Sequence, residues 1–220
     1  MAHAVYVFDA YGTLFDVHAA VRRHSGGIGA DAQLLSDIWR QKQLEYSWVR
    51  ALMGRYEDFW TLTEQALDFA LRKVPSADAS LRDGLLEAYR SLDCYPEIPK
   101  VLTALKDKGA RLAILSNGSP AMLESAAASA GLTDLFEEIV SVDEIRTYKT
   151  AEPVYEMVAD RFRVFPEAVS FQSSNRWDIA GATAYGFRTV WINRGGQPDE
   201  YHDLPPAAVL PSTEGLLTLD

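Results

Sequence analysis

Tyr6-Val7-Phe8-Asp9-Ala10-Tyr11-Gly12-Thr13-Leu14-Phe15, near the start of the 220-residue chain, is the stretch that decides the fold. An apolar run of β-type residues, Val5 to Phe8, stops at a carboxylate, and a tight turn containing Gly12 follows at once. This predicts a buried strand with Asp9 at its C-terminal end, where open α/β sheets place their ligand crevices. The same pattern also fits an Asp that merely caps its own turn. What the rest of the chain brings to that edge separates the two.

Beyond Asp9 the pattern turns helical. A short helix is predicted over 17–24, broken by Gly26, Gly27 and Gly29; no strand precedes these glycines, so they form a connector and not a dinucleotide fingerprint. Asp31 is a candidate cap for a long helix that runs to about Met53 on Leu34, Leu35, Ile38, Trp39, Trp48, Val49 and Leu52, and Gly54 ends it. Further helices are predicted over 56–72, closed by Pro75, and over 78–91. From Pro96 strands and helices alternate: helix 97–108, strand 111–116, a helix opened by Ser119-Pro120, strand 138–142, helix 152–163, strand 168–173, helix 178–185 and strand 189–193. That rhythm gives βαβ units and a parallel sheet. The predicted architecture is α/β: a Rossmann-like parallel sheet of five to six strands flanked by helices, built from 1–16 and 95–220. An all-helical cap, 17–94, is inserted after strand one and emerges on the edge that carries Asp9, where it can act as a lid. The tail with Pro198, Pro205, Pro206 and Pro211 is expected to wrap the surface.

Composition narrows the function classes. With 48% hydrophobic residues the chain can bury one large core, or a core and a smaller lobe. Its net charge of −10 argues against nucleic-acid or anionic-membrane partners, so an anionic substrate needs specific local cations. Cys94 is the single cysteine, which excludes an intrachain disulfide and fits an intracellular, cytoplasmic protein. No secretory signal is expected, and no apolar run approaches the length of a membrane span.

The strand ends collect the polar residues. Strand one supplies Asp9 and Thr13; strand two supplies Ser116, Asn117 and Gly118 just before a helix; Lys149 follows strand three; strand four supplies Ser173, Ser174 and Asn175, then Trp177 and Asp178. In a parallel sheet these ends share one edge. A carboxylate, a lysine, hydroxyls and a helix start converging there point to a reactive site.

Asp9-Ala10-Tyr11-Gly12-Thr13-Leu14-Phe15-Asp16, Ile114-Leu115-Ser116-Asn117-Gly118-Ser119-Pro120, Tyr148-Lys149 and Ser173-Ser174-Asn175-Arg176-Trp177-Asp178 resemble the four motifs of the haloacid dehalogenase superfamily. The resemblance is closest to its L-2-haloacid dehalogenases and spans nearly the whole chain. It includes Trp39-Arg40-Gln41-Lys42-Gln43-Leu44-Glu45-Tyr46, which is similar to that group's cap helix. Most of the superfamily are Mg²⁺-dependent phosphatases, so two departures matter. Phosphatases carry a second Asp two residues after the nucleophile, to protonate the leaving alcohol; here that position is Tyr11. They also hold Mg²⁺ with an acidic pair near strand four, a region that here has Asp178 as its only carboxylate. His3, His18, His24 and His202 all lie away from the motifs, which argues against a His-based triad.

A departing halide needs no proton, so a dehalogenase can dispense with the second Asp. The resemblance implies a hydrolase that takes short L-2-haloacids to 2-hydroxy acids with inversion, without metal or cofactor. Asp9 would be the nucleophile and Lys149 would keep it ionised. Asp178, with Ser173 and Asn175, would position and activate water. Thr13 and Ser116 would support Asp9 and bind the substrate carboxylate with the amides of the Ser116–Ser119 helix start. Arg40, Asn117 and Trp177 would cradle the halide, and Ala10, Tyr11, Leu44, Phe59 and Trp177 would surround the alkyl group. Tyr155 stands where the family places a supporting tyrosine. The family commonly has Pro after the motif lysine; Thr150 stands there instead, so the aim of the Lys149 loop is expected to differ slightly, with Pro153 stiffening it. The resemblance also implies a homodimer, for which exposed aromatics of the helical bundle are candidates. A phosphatase on the same fold and a non-catalytic binding protein are the competing possibilities.

Overall fold

The computed structural model describes residues 5–219; His3 lies outside them. Strands β1 (Val5–Phe8), β2 (Arg111–Ser116), β3 (Glu138–Ser141), β4 (Val169–Ser173), β5 (Arg188–Ile192) and β6 (Ala208–Leu210) form one parallel sheet in the order β3-β2-β1-β4-β5-β6. The chain fills one side of β1 first and then the other, so a topological switch lies between β1 and β4. All four β1 residues are buried, as both-face coverage of a parallel strand requires. Phe8 pairs with Gln172, and the Asp9 amide donates to the Gln172 carbonyl at 2.9 Å, which sets Asp9 level with Ser173 at the switch.

Between β1 and β2 run α1 (Ala19–Arg23), α2 (Ser25–Ile28), α3 (Ala32–Met53), α4 (Phe59–Lys73), α5 (Arg82–Arg90) and α6 (Ile98–Asp107). Helix α3 ends where Gly54 turns left-handed, and Asp58 caps α4 by accepting from the Thr61 amide at 3.1 Å. The two helices pack as a hairpin, locked by Trp39 Nε1 donating to the Thr63 carbonyl at 2.9 Å and Gln43 Nε2 to Thr63 Oγ1 at 3.0 Å. Helices α7 (Pro120–Ser129), α8 (Glu152–Phe162) and α9 (Arg176–Tyr185) complete the core crossovers.

The structure departs from expectation in several places. Helices α4 and α5 begin at Phe59 and Arg82, later than the pattern predicts, and Asp31 makes no side-chain cap bond to α3. Residues 25–28 form a helical turn through Gly26 and Gly27 instead of an irregular connector. The tail does more than wrap the surface: Ala208–Leu210 pairs with β5, and Leu216 is buried. Helix α9 begins at Arg176, two residues earlier than the periodicity predicts, because Asn175 serves as its N-cap residue. The exposed large residues of the bundle are aliphatic (Leu34, Val49, Leu52 and Met53), not aromatic, because its rings pack inward.

Candidate active site

The turn after β1 is drawn together by the Ala10 carbonyl, which accepts from the amides of Thr13, Leu14 and Phe15. This uses the Ala10 carbonyl inside the turn. Gly12 sits at φ +94°, where a side chain would be strained. The turn returns Thr13 to the strand end, and its hydroxyl contacts Asp9 Oδ2 at 3.0 Å. Thr13 Oγ1 also accepts from the Ser174 amide at 2.8 Å, so its single proton is directed at the carboxylate. Asn175 Nδ2 donates to the same oxygen at 2.8 Å, and Ser173 Oγ approaches it at 3.4 Å. Asn175 thus gives its side chain to Asp9 and makes no side-chain cap bond to α9.

The other oxygen, Asp9 Oδ1, accepts from Lys149 Nζ at 3.0 Å, and the same ammonium contacts Asp178 Oδ2 at 2.7 Å. Lys149 is 1% exposed, Asp178 0% and Asp9 5%, so the ion triad is buried. Burial works against the Lys149 ammonium, but Asp178 and then Asp9 outweigh it and hold the lysine above its ordinary range. Burial pushes the Asp178 carboxyl up to about 6, with Lys149 opposing and Asp9 adding to the rise. Tyr155 donates to Asp178 Oδ1 at 2.9 Å, and burial first, then Asp178, raises its phenol well above the usual value. Both Asp178 oxygens therefore have partners, which fixes how it presents its charge to Lys149. Gly181, one turn further along α9, makes this approach possible: a Cβ there would lie 2.5 Å from the Tyr155 hydroxyl.

With Thr150 after it, Lys149 still reaches both carboxylates. The Lys149 amide donates to Asn117 Oδ1 at 3.0 Å. Asn117 is oriented by that bond, which leaves its Nδ2 hydrogens as the donors it can offer an anion. Arg40 reaches from α3 to the Tyr11 carbonyl at 3.1 Å, an oxygen that Asn175 Nδ2 shares at 3.3 Å. The bundle therefore touches the Asp9 turn directly. Buried Tyr11 stacks on Tyr89, centroids 5.7 Å apart, with Phe59 at 6.4 Å. Burial raises the Tyr11 phenol far above its usual value, with Tyr89 adding to the shift, so it stays neutral.

Asp9, Thr13, Lys149, Tyr155, Ser173, Asn175 and Asp178 thus form one hydrogen-bonded network, joined by Asn117 and, through the Tyr11 carbonyl, by Arg40. Phe59 borders it only through the Tyr11 ring, and three further expected residues make no bond into it. Ser116 Oγ turns back to accept from the Gly118 amide at 3.1 Å, Leu44 is half-buried on α3, and Trp177 packs edge-on against Trp48 at 5.3 Å. A cavity of about 450 Å³ lined by Trp48, Thr150 and Trp177, among others, lies at that contact, and Asp9 is not in its wall. Trp48 and Gly181 were not expected here. An isolated glycine inside a helical pattern was the available signal for Gly181, and Trp48 gave none beyond its place on the apolar face of α3. Among the described residues no cluster of three or more His, Cys, Asp or Glu side chains is arranged to hold a metal ion.

The family profile described as haloacid dehalogenase-like hydrolase matches residues 3–186 of this chain. The chain belongs to that family. Among the relatives of this haloacid dehalogenase-like hydrolase, (S)-2-haloacid dehalogenase 1 of Pseudomonas sp. (strain CBS-3) is 50% identical, the match covering 96% of this chain and 93% of the relative. (S)-2-haloacid dehalogenase 4A of Burkholderia cepacia is 48% identical over 90% of this chain and 87% of its own length. The structure of L-2-haloacid dehalogenase from Xanthobacter autotrophicus with chloropropionic acid covalently bound superposes with a TM-score of 0.91 at 36% identity, covering 99% of this chain and 98% of that one.

Proposed function

We propose that this hydrolase cleaves the carbon–halogen bond of short L-2-haloalkanoic acids, giving (R)-2-hydroxy acids and halide through an ester on Asp9. The observation that carries this is the buried Asp9 carboxylate, held by Thr13, Asn175 and Lys149, with a neutral tyrosine where an alcohol-protonating acid would stand. The names of its relatives and the covalently bound chloropropionic acid of the Xanthobacter neighbour support the same chemistry. Asp9 Oδ1 has one partner and Oδ2 up to three, so Oδ1 is the oxygen with a lone pair to spare. In the proposed reaction it attacks C2 from behind, the C–O bond forms as the carbon–halogen bond breaks, and halide leaves with the bonding pair.

Arg40, Asn117 and Trp177 then receive the halide, while the Ser116 hydroxyl, whose proton is not used by its bond from the Gly118 amide, and the amides of the Ser116–Ser119 helix start hold the substrate carboxylate. Ala10, Tyr11, Leu44 and Phe59 enclose the alkyl group. Water, positioned by Ser173 and Asn175 and activated by Asp178, attacks the ester carbonyl of Asp9 and returns the carboxylate. Tyr155 orients Asp178. We further infer a core of 1–16 and 95–220 with 17–94 as the cap that excludes water. A homodimer built on the exposed Val49, Leu52 and Met53 face of α3 and a cytoplasmic location complete the proposal.

The test is halide release from L- and D-2-chloropropionate with EDTA present. Release from the L form alone is expected. Mg²⁺-dependent phosphate release from phosphomonoesters, with no dehalogenation, would favour the phosphatase alternative and overturn the proposal.

A further inference from the structure

The lysine that bridges Asp9 and Asp178 is not carried by regular structure. It lies on the segment between β3 and α8, and the adjacent Tyr148 points the opposite way, into the helical bundle. There the Tyr148 ring, fully buried, lies 5.2 Å from the Tyr56 ring and 6.0 Å from Phe59. Its hydroxyl donates to the Glu57 carbonyl, in the loop joining α3 to α4. Tyr56, on the same loop, reaches back to the β3–α8 segment and donates to Asp143 Oδ1 at 2.6 Å. Arg146, in a left-handed backbone conformation at φ 53°, sets its guanidinium 5.2 Å from the Tyr56 ring centroid. On the core side, Ser141 Oγ accepts from the Asp143 amide at 3.2 Å and donates to the Gly118 carbonyl at 2.6 Å. One short segment is therefore gripped by the bundle at Asp143 and Tyr148 and by the strand-two loop at Ser141 and Lys149.

We propose that Tyr56, Asp143 and Tyr148 form a clamp between the bundle and the β3–α8 segment that holds Lys149 on its aim at Asp9 and Asp178. All three would be positioning residues for the hydrolysis proposed above, on which this inference rests. The chemistry favours a fixed clamp. Burial, and for Tyr56 also its bond to Asp143, raises both phenols well above their usual range, so both remain hydrogen-bond donors at any working pH. Neither touches Asp9. Their lever is the single peptide unit between Tyr148 and Lys149. A lysine contact of 2.7–3.0 Å tolerates little drift, and misplacement by about 1 Å can cost about 10²-fold in rate. Among the described residues Lys149 is the group that lowers the pKa of buried Asp178 by charge, so a slack clamp must let the Asp178 titration rise.

The experiment compares wild type with Tyr56→Phe, Tyr148→Phe, Asp143→Ala and Asp143→Asn. Asp68→Asn, which breaks the Arg82–Asp68 pair inside the bundle, serves as a purely structural control. Steady-state dehalogenation gives kcat and KM, and ¹³C NMR of labelled aspartate carboxyls follows the Asp178 titration without turnover. The two Phe variants and Asp143→Ala are expected to lose about tenfold in kcat with KM within about twofold, and to move the Asp178 midpoint upward. Asp143→Asn keeps an acceptor for Tyr56 and should behave as wild type, as should Asp68→Asn. An unmoved Asp178 midpoint in all three disrupting variants overturns the clamp, whatever their melting temperatures; should a Phe variant not fold, the Asp143→Ala and Asp143→Asn pair decides. Absence of halide release from wild type overturns the proposed reaction instead, and leaves the NMR comparison to judge the clamp.

Discussion

Replacing Lys149 with Met keeps the stem of the side chain and removes the charge between two buried carboxylates. At an effective dielectric of roughly 20, contacts of 3.0 and 2.7 Å are each worth about 6 kcal/mol before desolvation. Desolvation of the three ions offsets most of that, and deleting one partner of a buried pair costs about 3–5 kcal/mol because the remaining charge is stranded. The stranded group here is a carboxylate, which can escape by taking a proton. Asp178 already titrates at about 6 with the lysine beside it, and without it the value rises further. A carboxyl whose folded-state pKa exceeds its unfolded value binds protons more tightly when folded, so stability grows as pH falls from the folded value toward the unfolded one. Lys149 itself, held above its ordinary range, stays charged across neutral pH and adds no slope there. Urea unfolding should therefore show Lys149→Met destabilised by about 3–5 kcal/mol at pH 8. That deficit should shrink by about 1.4 kcal/mol, or more, by pH 5 for each unit the carboxyl pKa has risen. Turnover at neutral pH should fall at least about 10²-fold. A deficit below about 1 kcal/mol, typical of an exposed pair, or one independent of pH, would refute the description of Lys149 as the charge that holds the site together.

In wild type, kcat and the single-turnover rate of Asp9-ester hydrolysis should rise with pH through about 6 as Asp178 ionises and should not fall again near neutrality; an ester-hydrolysis rate that stays flat from about pH 4.5 to about pH 8 would contradict an ionised Asp178 as the base. Gly181→Ala places a Cβ 2.5 Å from the Tyr155 hydroxyl and 2.8 Å from Thr150 Cβ, both packed in place. Overpacking of about 1–3 kcal/mol is expected, read as a lower Tm together with a lower kcat; an unchanged Tm would mean that α8 and α9 separate freely. Arg40→Met removes the guanidinium that reaches the Tyr11 carbonyl and should lower halide release about 10²-fold in rapid-mixing assays, whereas wild-type kinetics would exclude Arg40 from the halide site.

Much of this was legible in the chain because strong local signals agreed with the global fold. The runs Val5–Phe8 and Arg111–Ser116 match β1 and β2 residue for residue, since parallel strands buried on both faces are continuous apolar runs bounded by turns. Asp9, Lys149 and Asp178 were identifiable as strand-end residues that topology must bring together. What escaped depends on tertiary detail. Strand β6 has three residues among prolines, too few for periodicity to register. The start of α9 was placed late because Ser173-Ser174-Asn175 looks like loop, whereas Asn175 opens the helix while its side chain serves Asp9. Ser116 has the right residue type and the right strand end, and its hydroxyl accepts from the Gly118 amide two residues on, a local bond that no sequence pattern announces. Trp48 reads as an ordinary core aromatic and Tyr148 only as the motif neighbour of Lys149; packing shows that one meets Trp177 and that the other anchors the Lys149 segment to the bundle.

The central claim is that Asp9 itself becomes esterified. A single turnover of L-2-chloropropionate in H₂¹⁸O with enzyme in excess, followed by mass spectrometry of the peptide containing Asp9 and of the product, tests it directly. Labelled Asp9 with an unlabelled first-turnover 2-hydroxy acid is the predicted result. Label in the product with none in Asp9 would mean that water attacks C2 directly, and would contradict the account.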